Sequence, residues 1–284
     1  MHRSAPQYPA TVVRDPGRTL LVGCGALGTA LGLRLVADGG RVTAIRRSPD
    51  GLPSSFDAIA DDLRRAGRRT LPACDSVVIT LPPRSDADVD PLYPSALAAL
   101  AEALPARPSR VVFVSSTRVL EGWAGPERIT EAASARPLGD RARELRDAEE
   151  LAARFWGAQT VRPAGIYGPG RESLVRRVRA GVPVDYTRRT NRIHEDDLVA
   201  LLYSMVTRED VPPIVHAVDD RPVPLGEVVT FLASVLGVAP PPHAEHEPGG
   251  GTVLDGSLMR GFSGPLRFPT FREGYAAILG HDAP

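Results

Sequence analysis

A glycine-spaced turn near the start of the chain limits the possible folds more strongly than any other feature. Gly23, Gly25 and Gly28 form a G-x-G-x-x-G pattern that follows an apolar run at residues 19–22 and opens a helical pattern at residues 26–38. The first glycine permits a tight turn, the second lets the backbone approach a pyrophosphate, and the third lets the helix pack closely on the strand. Because the free N–H groups at the helix start would bind phosphates, the pattern predicts a dinucleotide-binding βαβ unit.

The alternation of short apolar runs with longer helical patterns continues through the first half of the chain. Strands are predicted at residues 41–45, 56–60, 76–81, 110–115 and 159–162, and helices at residues 92–104 and 140–156. The strand segments are continuously apolar, as expected for parallel strands that are covered on both faces. We therefore predict an α/β fold with a Rossmann-type doubly wound parallel sheet.

The character of the sequence changes after residue 165, where loops become longer and richer in proline, glycine and arginine. Helical patterns remain at residues 195–206, 225–236 and 271–279, and residues 240–251 are predicted to form a loop. We divide the chain into a flexible N-terminal tail (residues 1–17), a dinucleotide-binding Rossmann domain (18–165) and a smaller C-terminal substrate-binding lobe (166–284).

The charge balance argues against several classes of partner. The chain carries 34 basic and 34 acidic residues, whereas dedicated binders of nucleic acid or membrane surfaces need a basic excess. Four glycines and Arg34 interrupt the apolar stretch at residues 19–37, which therefore does not predict a membrane helix. The first 18 residues lack the apolar core of a signal peptide. We expect a cytoplasmic protein whose partner is a small-molecule substrate, with no nucleic-acid or membrane partner.

All 34 basic residues are arginine, and the chain contains no lysine. This composition excludes Schiff-base chemistry and any phosphate loop that depends on a lysine amine. Arginine stays protonated in proteins, so it replaces lysine as a charge and a donor but not as a base. No metal is predicted, because His243 and His246 have no third ligand at metal-site spacing.

The residue at the end of the second strand distinguishes between the two nicotinamide dinucleotides. A carboxylate there would accept a hydrogen bond from the ribose 2′-OH of NAD, but this chain has Arg46 and Arg47. Arginine pairs with a 2′-phosphate through charge-assisted hydrogen bonds, so NADP is favoured over NAD as the cofactor. Asp62, after the third strand, has two open interpretations: it lies near the adenine amino group, or it caps a helix.

Four further segments resemble a single family. They read VVFVSSTRVLEG (residues 111–122), VRPAGIYGPGR (161–171), NRIHEDDLV (191–199) and FPTFREGYAAIL (268–279). With the glycine turn, they resemble the extended short-chain dehydrogenase/reductases over nearly the whole chain, and most of all the atypical NAD-dependent epimerase/dehydratase-like members. Beyond the glycines, the resemblance implies these dinucleotide contacts: Ala26, Leu27, Leu81, Pro82, Ser115, Pro163 and Ala164.

The catalytic residues of that family are matched only in part. By position, Ser116 is similar to the serine or threonine that hydrogen-bonds a substrate oxygen. The Y-x-x-x-K motif expected next, whose tyrosine is the acid/base, is absent from the segment RPLGDRARE. One register would place Leu138 and Ala142 in the motif, and the other Gly139 and Arg143. Arg143 would then replace the lysine as a contact of the nicotinamide ribose, but neither register supplies a phenol.

Other side chains are candidates for the chemistry by type and position. Tyr167 has Arg171 four places on, although it follows a strand instead of lying on the catalytic helix. His194 is an acid/base candidate or, alternatively, a buried structural histidine before helix-capping carboxylates. Tyr186, Arg171 and Arg192 lie in the region that the resemblance assigns to the substrate, where an arginine could bind a phosphate or carboxylate.

These features lead to two hypotheses about function. The first is an NAD(P)-dependent oxidoreductase or epimerase-like enzyme that acts on a small hydroxyl- or keto-bearing substrate with non-standard proton transfer. The second is a catalytically silent NAD(P)-binding sensor or regulatory protein, which the absence of both motif residues favours. The resemblance also implies a homodimer formed through the helices at residues 92–104 and 140–156.

Overall fold

The computed structural model describes residues 14–63, 70–81, 92–244 and 250–280. The helices are α1 (Ala26–Ala37), α2 (Leu92–Ala103), α3 (Asp140–Trp156), α4 (Ser173–Arg179), α5 (Glu195–Thr207), α6 (Leu225–Leu236), α7 (Ser257–Ser263) and α8 (Phe271–Leu279), with a 3-10 turn at Thr117–Leu120. The strands are β1 (Arg18–Val22), β2 (Arg41–Arg46), β3 (Phe56–Ala60), β4 (Ser76–Ile79), β5 (Arg110–Val114), β6 (Arg128–Ile129), β7 (Gln159–Pro163), β8 (Gly165–Tyr167), β9 (Arg189–Thr190), β10 (Arg192–His194), β11 (Ile214–Ala217), β12 (Val223–Pro224) and β13 (Val253–Leu254).

Seven of these strands form one parallel sheet in the order β3-β2-β1-β4-β5-β7-β11. The chain winds outward in both directions from β1 and β4, which is the doubly wound arrangement. The predicted Rossmann-type α/β fold is therefore confirmed. In such sheets ligands bind outside the carboxyl ends of the strands at the point where the winding reverses, so a site is expected beside β1 and β4.

Strand residues alternate between two layers of helices. On β1, Leu21 packs with the layer that contains α1, α5 and α7, whereas Leu20 and Val22 pack with the layer that contains α2 and α3. All three side chains are fully buried. Burial on both faces is the physical reason that the strands read as continuous apolar runs. Within the described ranges, no helix is long and apolar enough to cross a membrane.

The C-terminal lobe has a core of its own. Its buried residues come mainly from α4, α6 and α8 and include Val175, Val228 and Phe271. Three two-stranded sheets, β8–β10, β9–β12 and β6–β13, accompany these helices. The β6–β13 pair joins the first half of the chain to the lobe.

Part of the second half of the chain belongs to the main sheet. Strand β11 pairs with β7, and α5 packs against α1. The sequence analysis did not predict β11, nor the seven-residue helices α4 and α7. Residues 1–13 of the predicted tail lie outside the described residues. Arg14, which follows them, is held on the body of the protein because its amide donates a hydrogen bond to the Thr207 carbonyl at 2.7 Å.

Candidate active site

A cleft of about 630 Å³ opens at the carboxyl ends of the central strands. It has two parts, which we name by the strands below them. The β1–β3 half is lined by the glycine turn and by Arg46, Arg47, Asp61 and Asp62. The β5–β7 half is lined by Ser115, Ser116, Arg118, Arg141, Leu145, Pro163 and Arg171. The two halves meet where the winding of the sheet reverses.

The glycine turn is fixed between two neighbouring strands. Gly23 has φ +81°, its amide donates to the Ile45 carbonyl at 3.0 Å, and its carbonyl accepts from the Thr80 hydroxyl at 2.9 Å. A Cβ at Gly28 would lie 3.3 Å from Cys24 Sγ, so α1 packs closely here. These are the roles that the pattern predicts for the first and third glycines.

The cleft offers polar groups that fit a dinucleotide. A Cβ at Gly25 would meet nothing within 4 Å, so the backbone there faces open space. Gly25 caps α1 without a side-chain hydrogen bond, and the first turn of α1 has no acidic residue. The amides of that turn are therefore available to an anion. The Ser115 hydroxyl is buried at the cleft wall and has no hydrogen-bond partner within the described part of the chain.

The β1–β3 half combines both signs of charge. Arg46 ends β2 and Arg47 follows it, while Asp61 and Asp62 follow β3. The loops are joined by a hydrogen bond of 3.2 Å from the Asp61 amide to the Arg46 carbonyl. This half can therefore offer guanidinium groups to a 2′-phosphate and carboxylates to hydroxyl or amino groups.

Ser116 lies in the β5–β7 half, at the start of the 3-10 turn. Its hydroxyl oxygen accepts a hydrogen bond from the Arg118 amide at 3.2 Å. A serine hydroxyl also has one donor, which remains able to reach a substrate oxygen. The Arg118 side chain lines the same half and lies 3.8 Å from the Glu121 carboxylate.

Helix α3 lines the cleft with Arg141 and Leu145. Residues four apart lie on one face of a helix, and this is the spacing of Y-x-x-x-K. Neither register considered from the sequence contains this pair, which presents a guanidinium and an apolar side chain at that spacing. Arg143 does not line the cleft. Its half-exposed guanidinium pairs with Asp140 at 2.6 Å, so its placement does not support the predicted ribose contact.

Tyr93 of α2 is the one phenol among the described residues that line the cleft. It is 1% exposed, and its hydroxyl donates to the Leu81 carbonyl at 3.2 Å. Burial raises the pKa of Tyr93 well above its ordinary value. A buried, hydrogen-bonded phenol of this kind is poorly suited to exchange protons near neutral pH.

Tyr167 and His194 lie outside the cleft lining. The Tyr167 ring stacks on Tyr275 with centroids 4.6 Å apart, and burial raises the pKa of Tyr167. His194 caps α5, because its Nδ1 accepts a hydrogen bond from the Asp196 amide at 3.2 Å. Burial lowers the pKa of His194. The geometry favours the second interpretation of His194, a buried structural histidine.

The three residues predicted to contact the substrate are in different places. The Tyr186 hydroxyl donates to a backbone carbonyl of the lobe at 2.7 Å. Arg192 is 6% exposed and donates to the Thr190 hydroxyl at 2.9 Å. Neither lines the cleft. Arg171 does line it, and its Nε donates to the Glu195 carboxylate at 2.9 Å.

Some of the remaining predicted cofactor contacts line the cleft and others do not. Leu81 and Pro163 line the cleft together with Ala26 and Leu27, whereas Ala164 is buried and is not part of the lining. Pro82 lies outside the described residues.

Among the lining residues that the sequence analysis did not predict are Thr80, Arg118, Arg141 and Leu145. The spacing of buried residues on α3 (Ala142, Leu145, Ala148) is the signal that could have found Leu145, and with it Arg141 one turn earlier.

The fold, the open glycine turn and the position of the cleft define a Rossmann-type protein with a cleft that can hold a dinucleotide. Solved structures narrow this class. A protein assigned as an NAD-dependent epimerase/dehydratase from Methylobacillus flagellatus is 25% identical, with a TM-score of 0.74 over 95% of this chain and 98% of that chain. The dTDP-glucose 4,6-dehydratase DesIV from Streptomyces venezuelae, with NAD bound, is 18% identical, with a TM-score of 0.75 over 93% of this chain and 96% of that chain.

Several structural neighbours of this chain are NAD-dependent epimerases and dehydratases, which confirms the resemblance to the extended short-chain dehydrogenase/reductases. Among curated proteins, the chain is 27% identical over 262 residues to Protein YeeZ of Escherichia coli K12, covering 85% of this chain and 92% of that protein. No protein-family model matches the chain.

Proposed function

We propose that the protein is an oxidoreductase or epimerase-like enzyme that binds a nicotinamide dinucleotide in the cleft and acts on a small hydroxyl- or keto-bearing substrate. The observation that carries this proposal is the glycine turn, whose backbone faces open space at Gly25 beside an uncapped helix start. The dinucleotide would supply the hydride acceptor or donor. Neighbours with the same fold have NAD bound.

We propose NADP as the preferred dinucleotide, because Arg46 and Arg47 stand at the end of β2, where a carboxylate would serve NAD. Asp61 and Asp62 in the same half work against a phosphate, so the preference depends on the arginines. Arg46→Asp is expected to shift the ratio of the dissociation constants toward NADH by about tenfold, the loss of one charge-assisted hydrogen bond. An unchanged ratio would contradict the role given to Arg46.

Ser116 is proposed to donate a hydrogen bond to the substrate oxygen that changes its oxidation state. Its hydroxyl already accepts from the Arg118 amide, which orients the O–H. Ser116→Ala is expected to lower kcat by about a hundredfold to a thousandfold, in line with the loss of one positioned donor. Ser234→Ala, on the exposed face of α6, is the matched control and should keep full turnover.

Proton transfer is proposed to use water or a group of the substrate itself. The described residues of the β5–β7 half supply hydroxyls and guanidiniums, and arginine cannot act as a base. The same observation favours a second candidate, a protein that binds the dinucleotide without turnover. Arg141 and Leu145, the residues that α3 contributes to the cleft, provide neither a phenol nor an amine, which favours it.

Calorimetric titration with NADPH and NADH, followed by assays with ketones and nucleotide sugars, distinguishes these candidates. Binding with hydride transfer supports the enzyme, and binding without turnover of any substrate in the panel supports the sensor. Failure to bind either dinucleotide at millimolar concentration would refute both.

We also propose that the protein forms a homodimer through α2 and α3, which pack against each other. Sedimentation velocity tests this proposal, because a monomer at high micromolar concentration would refute it.

A further inference from the structure

We infer that the β5–β7 half of the cleft is an anion site that holds a carboxylate or phosphoryl group of the substrate, with Arg141 as its specificity-determining residue. Arg118 and Arg171 lie in the same half and assist it. The inference rests on the proposed function in one respect: the dinucleotide is assigned to the glycine turn and the β1–β3 half. It names the chemical class of the second ligand.

The distribution of charge along the cleft is the first argument. In the β1–β3 half, Asp61 and Asp62 accompany the two arginines. In the β5–β7 half, three arginines line the cleft, and no described lining residue there is acidic. A site with one sign of charge and partly apolar walls concentrates field lines and attracts the opposite charge. Arg118 and Arg171 have carboxylate partners outside the lining, Glu121 and Glu195, so a neutral substrate would leave Arg141 as the guanidinium without a counter-ion among the described residues.

The position of Arg141 on its helix is the second argument. Arg141 lies in the first turn of α3, where the helix dipole is positive and a cation is unfavourable. Arg143, in the same turn, has an ion pair of 2.6 Å with Asp140 to offset this effect. Among the described residues, no carboxylate forms an ion pair with Arg141. An anion in the cleft would interact favourably with both the guanidinium and the helix start.

The surroundings of Arg141 and Arg171 are the third argument. Leu145, one turn after Arg141, is 3% exposed and gives the site an apolar wall, which strengthens charge interactions. Glu195, 11% exposed in its side chain, holds Arg171 through Nε at 2.9 Å. The two Nη groups of Arg171 are then left as donors in the planar geometry that suits carboxylate and phosphate.

This site also gives Arg141 a role that fits its chemistry. A guanidinium cannot donate its proton at neutral pH, so Arg141 does not replace the missing phenol as an acid. It binds and orients a charged group next to Ser116. The expected substrate is therefore a small anionic hydroxy or keto compound, such as a sugar acid or a sugar phosphate.

The test uses three matched hexoses as probes: glucose, glucuronate and glucose 6-phosphate. Each is titrated into the full-length protein with and without saturating NADH. Wild type is expected to bind at least one of the two anions about tenfold or more tightly than glucose, and the anion that binds more tightly identifies the preferred group. Raising the salt concentration from 0.05 M to 0.5 M should weaken the binding of the anion.

Arg141→Gln is expected to weaken the binding of the anion by about tenfold or more and to leave the affinity for NADH unchanged. Arg146→Gln is the control: it removes the same charge from the same helix at a position outside the cleft lining. Thermal unfolding of both variants should match wild type, because both side chains are solvent-accessible.

Two results would overturn the inference: equal affinity of wild type for all three hexoses, or equal affinity of wild type and Arg141→Gln for the anions. Failure of wild type to bind either NADPH or NADH would instead refute the proposed function, and the titrations without dinucleotide would still decide the anion site.

Discussion

The glycine turn makes a prediction that separates binding from stability. Gly25→Ala should weaken dinucleotide binding by about tenfold or more without unfolding the protein. The backbone at Gly25 has φ −88° and ψ −160°, which alanine adopts without strain, and the new Cβ would meet no protein atom within 4 Å. That empty space is where a pyrophosphate would approach the start of α1.

The expected magnitude for Gly25→Ala combines two small stability effects of opposite sign. Alanine reduces the freedom of the unfolded chain, which stabilises the folded state by about 0.4–1 kcal/mol. Alanine is also a poorer N-cap than glycine, at a cost of about 0.5–1 kcal/mol. The two nearly cancel, so Tm should change by no more than about 2 °C. Dinucleotide affinity should fall by about tenfold or more, or about 1.4 kcal/mol.

Gly23→Ala, two residues earlier, should do the opposite and destabilise the fold directly. Its φ of +81° is left-handed and costs alanine about 1–2 kcal/mol. Its Cβ would lie 2.9 Å from the backbone Cα and N of Leu81, an overlap that adds about 1–3 kcal/mol. A lower Tm, by about 5–15 °C, is therefore expected.

Isothermal titration with NADPH and NADH, combined with thermal unfolding, measures both quantities. Gly250→Ala is the matched control, because its Cβ would also meet nothing within 4 Å and it lies outside the cleft lining. Wild-type affinity in Gly25→Ala would refute the assignment of the turn to the pyrophosphate. A large loss of stability in Gly25→Ala would refute the geometry of the turn.

Two further predictions concern buried charges. Glu149→Ala should lower the free energy of unfolding, measured by urea denaturation, by about 3–5 kcal/mol, because Arg162 stays charged and buried after the loss of hydrogen bonds of 2.7 and 3.0 Å. Glu150→Ala, at an exposed position of the same helix, is the control and should lower it by less than about 1 kcal/mol. Equal losses in the two variants would contradict the argument. Burial raises the pKa of Asp219 from 3.8 to about 7, so its contribution to stability is fully present below about pH 4 and is lost, by about 1.4 kcal/mol per pH unit, as the pH rises toward 7. In Asp219→Asn, the free energy of unfolding should no longer fall in this way between pH 4 and 7. An unchanged pH dependence would contradict the raised pKa of Asp219.

The main sheet could be predicted well because its strands are buried on both faces and read as continuous apolar runs. Strand β11 is the exception. Its four residues include His216, which is fully buried and has a pKa lowered by burial to about 4. Because one of only four residues is a histidine, the run is not apolar enough to predict a buried strand.

The β1–β3 half of the cleft could be predicted because it depends on backbone geometry. The positive φ at Gly23 and the open space at Gly25 both require glycine, so these features can be recognised in the sequence.

The β5–β7 half of the cleft depends on which face of α3 lies toward the cleft, and the charged sequence of α3 permits several registers. Arg141 and Leu145 are two positions away from the Gly139 and Arg143 pair considered from the sequence. Burial of Ala142, Leu145 and Ala148 against the sheet decides the register.

The two halves of the cleft are built from different parts of the polypeptide, one mainly from backbone and the other mainly from side chains. The proposed dinucleotide site is built from backbone amides and glycines, so substitutions in α3 are expected to leave it intact. The β5–β7 half is built from side chains, and α3 contributes Arg141 and Leu145 to it. Ser116 keeps its orientation through the Arg118 amide, a backbone contact that is independent of these two side chains. The proposed dinucleotide site and the proposed role of Ser116 therefore do not depend on Arg141 and Leu145. Arg141 instead sets the charge that the β5–β7 half presents to a substrate, and this is why the discrimination between glucose and its anionic counterparts tests the site more directly than a search for a proton donor.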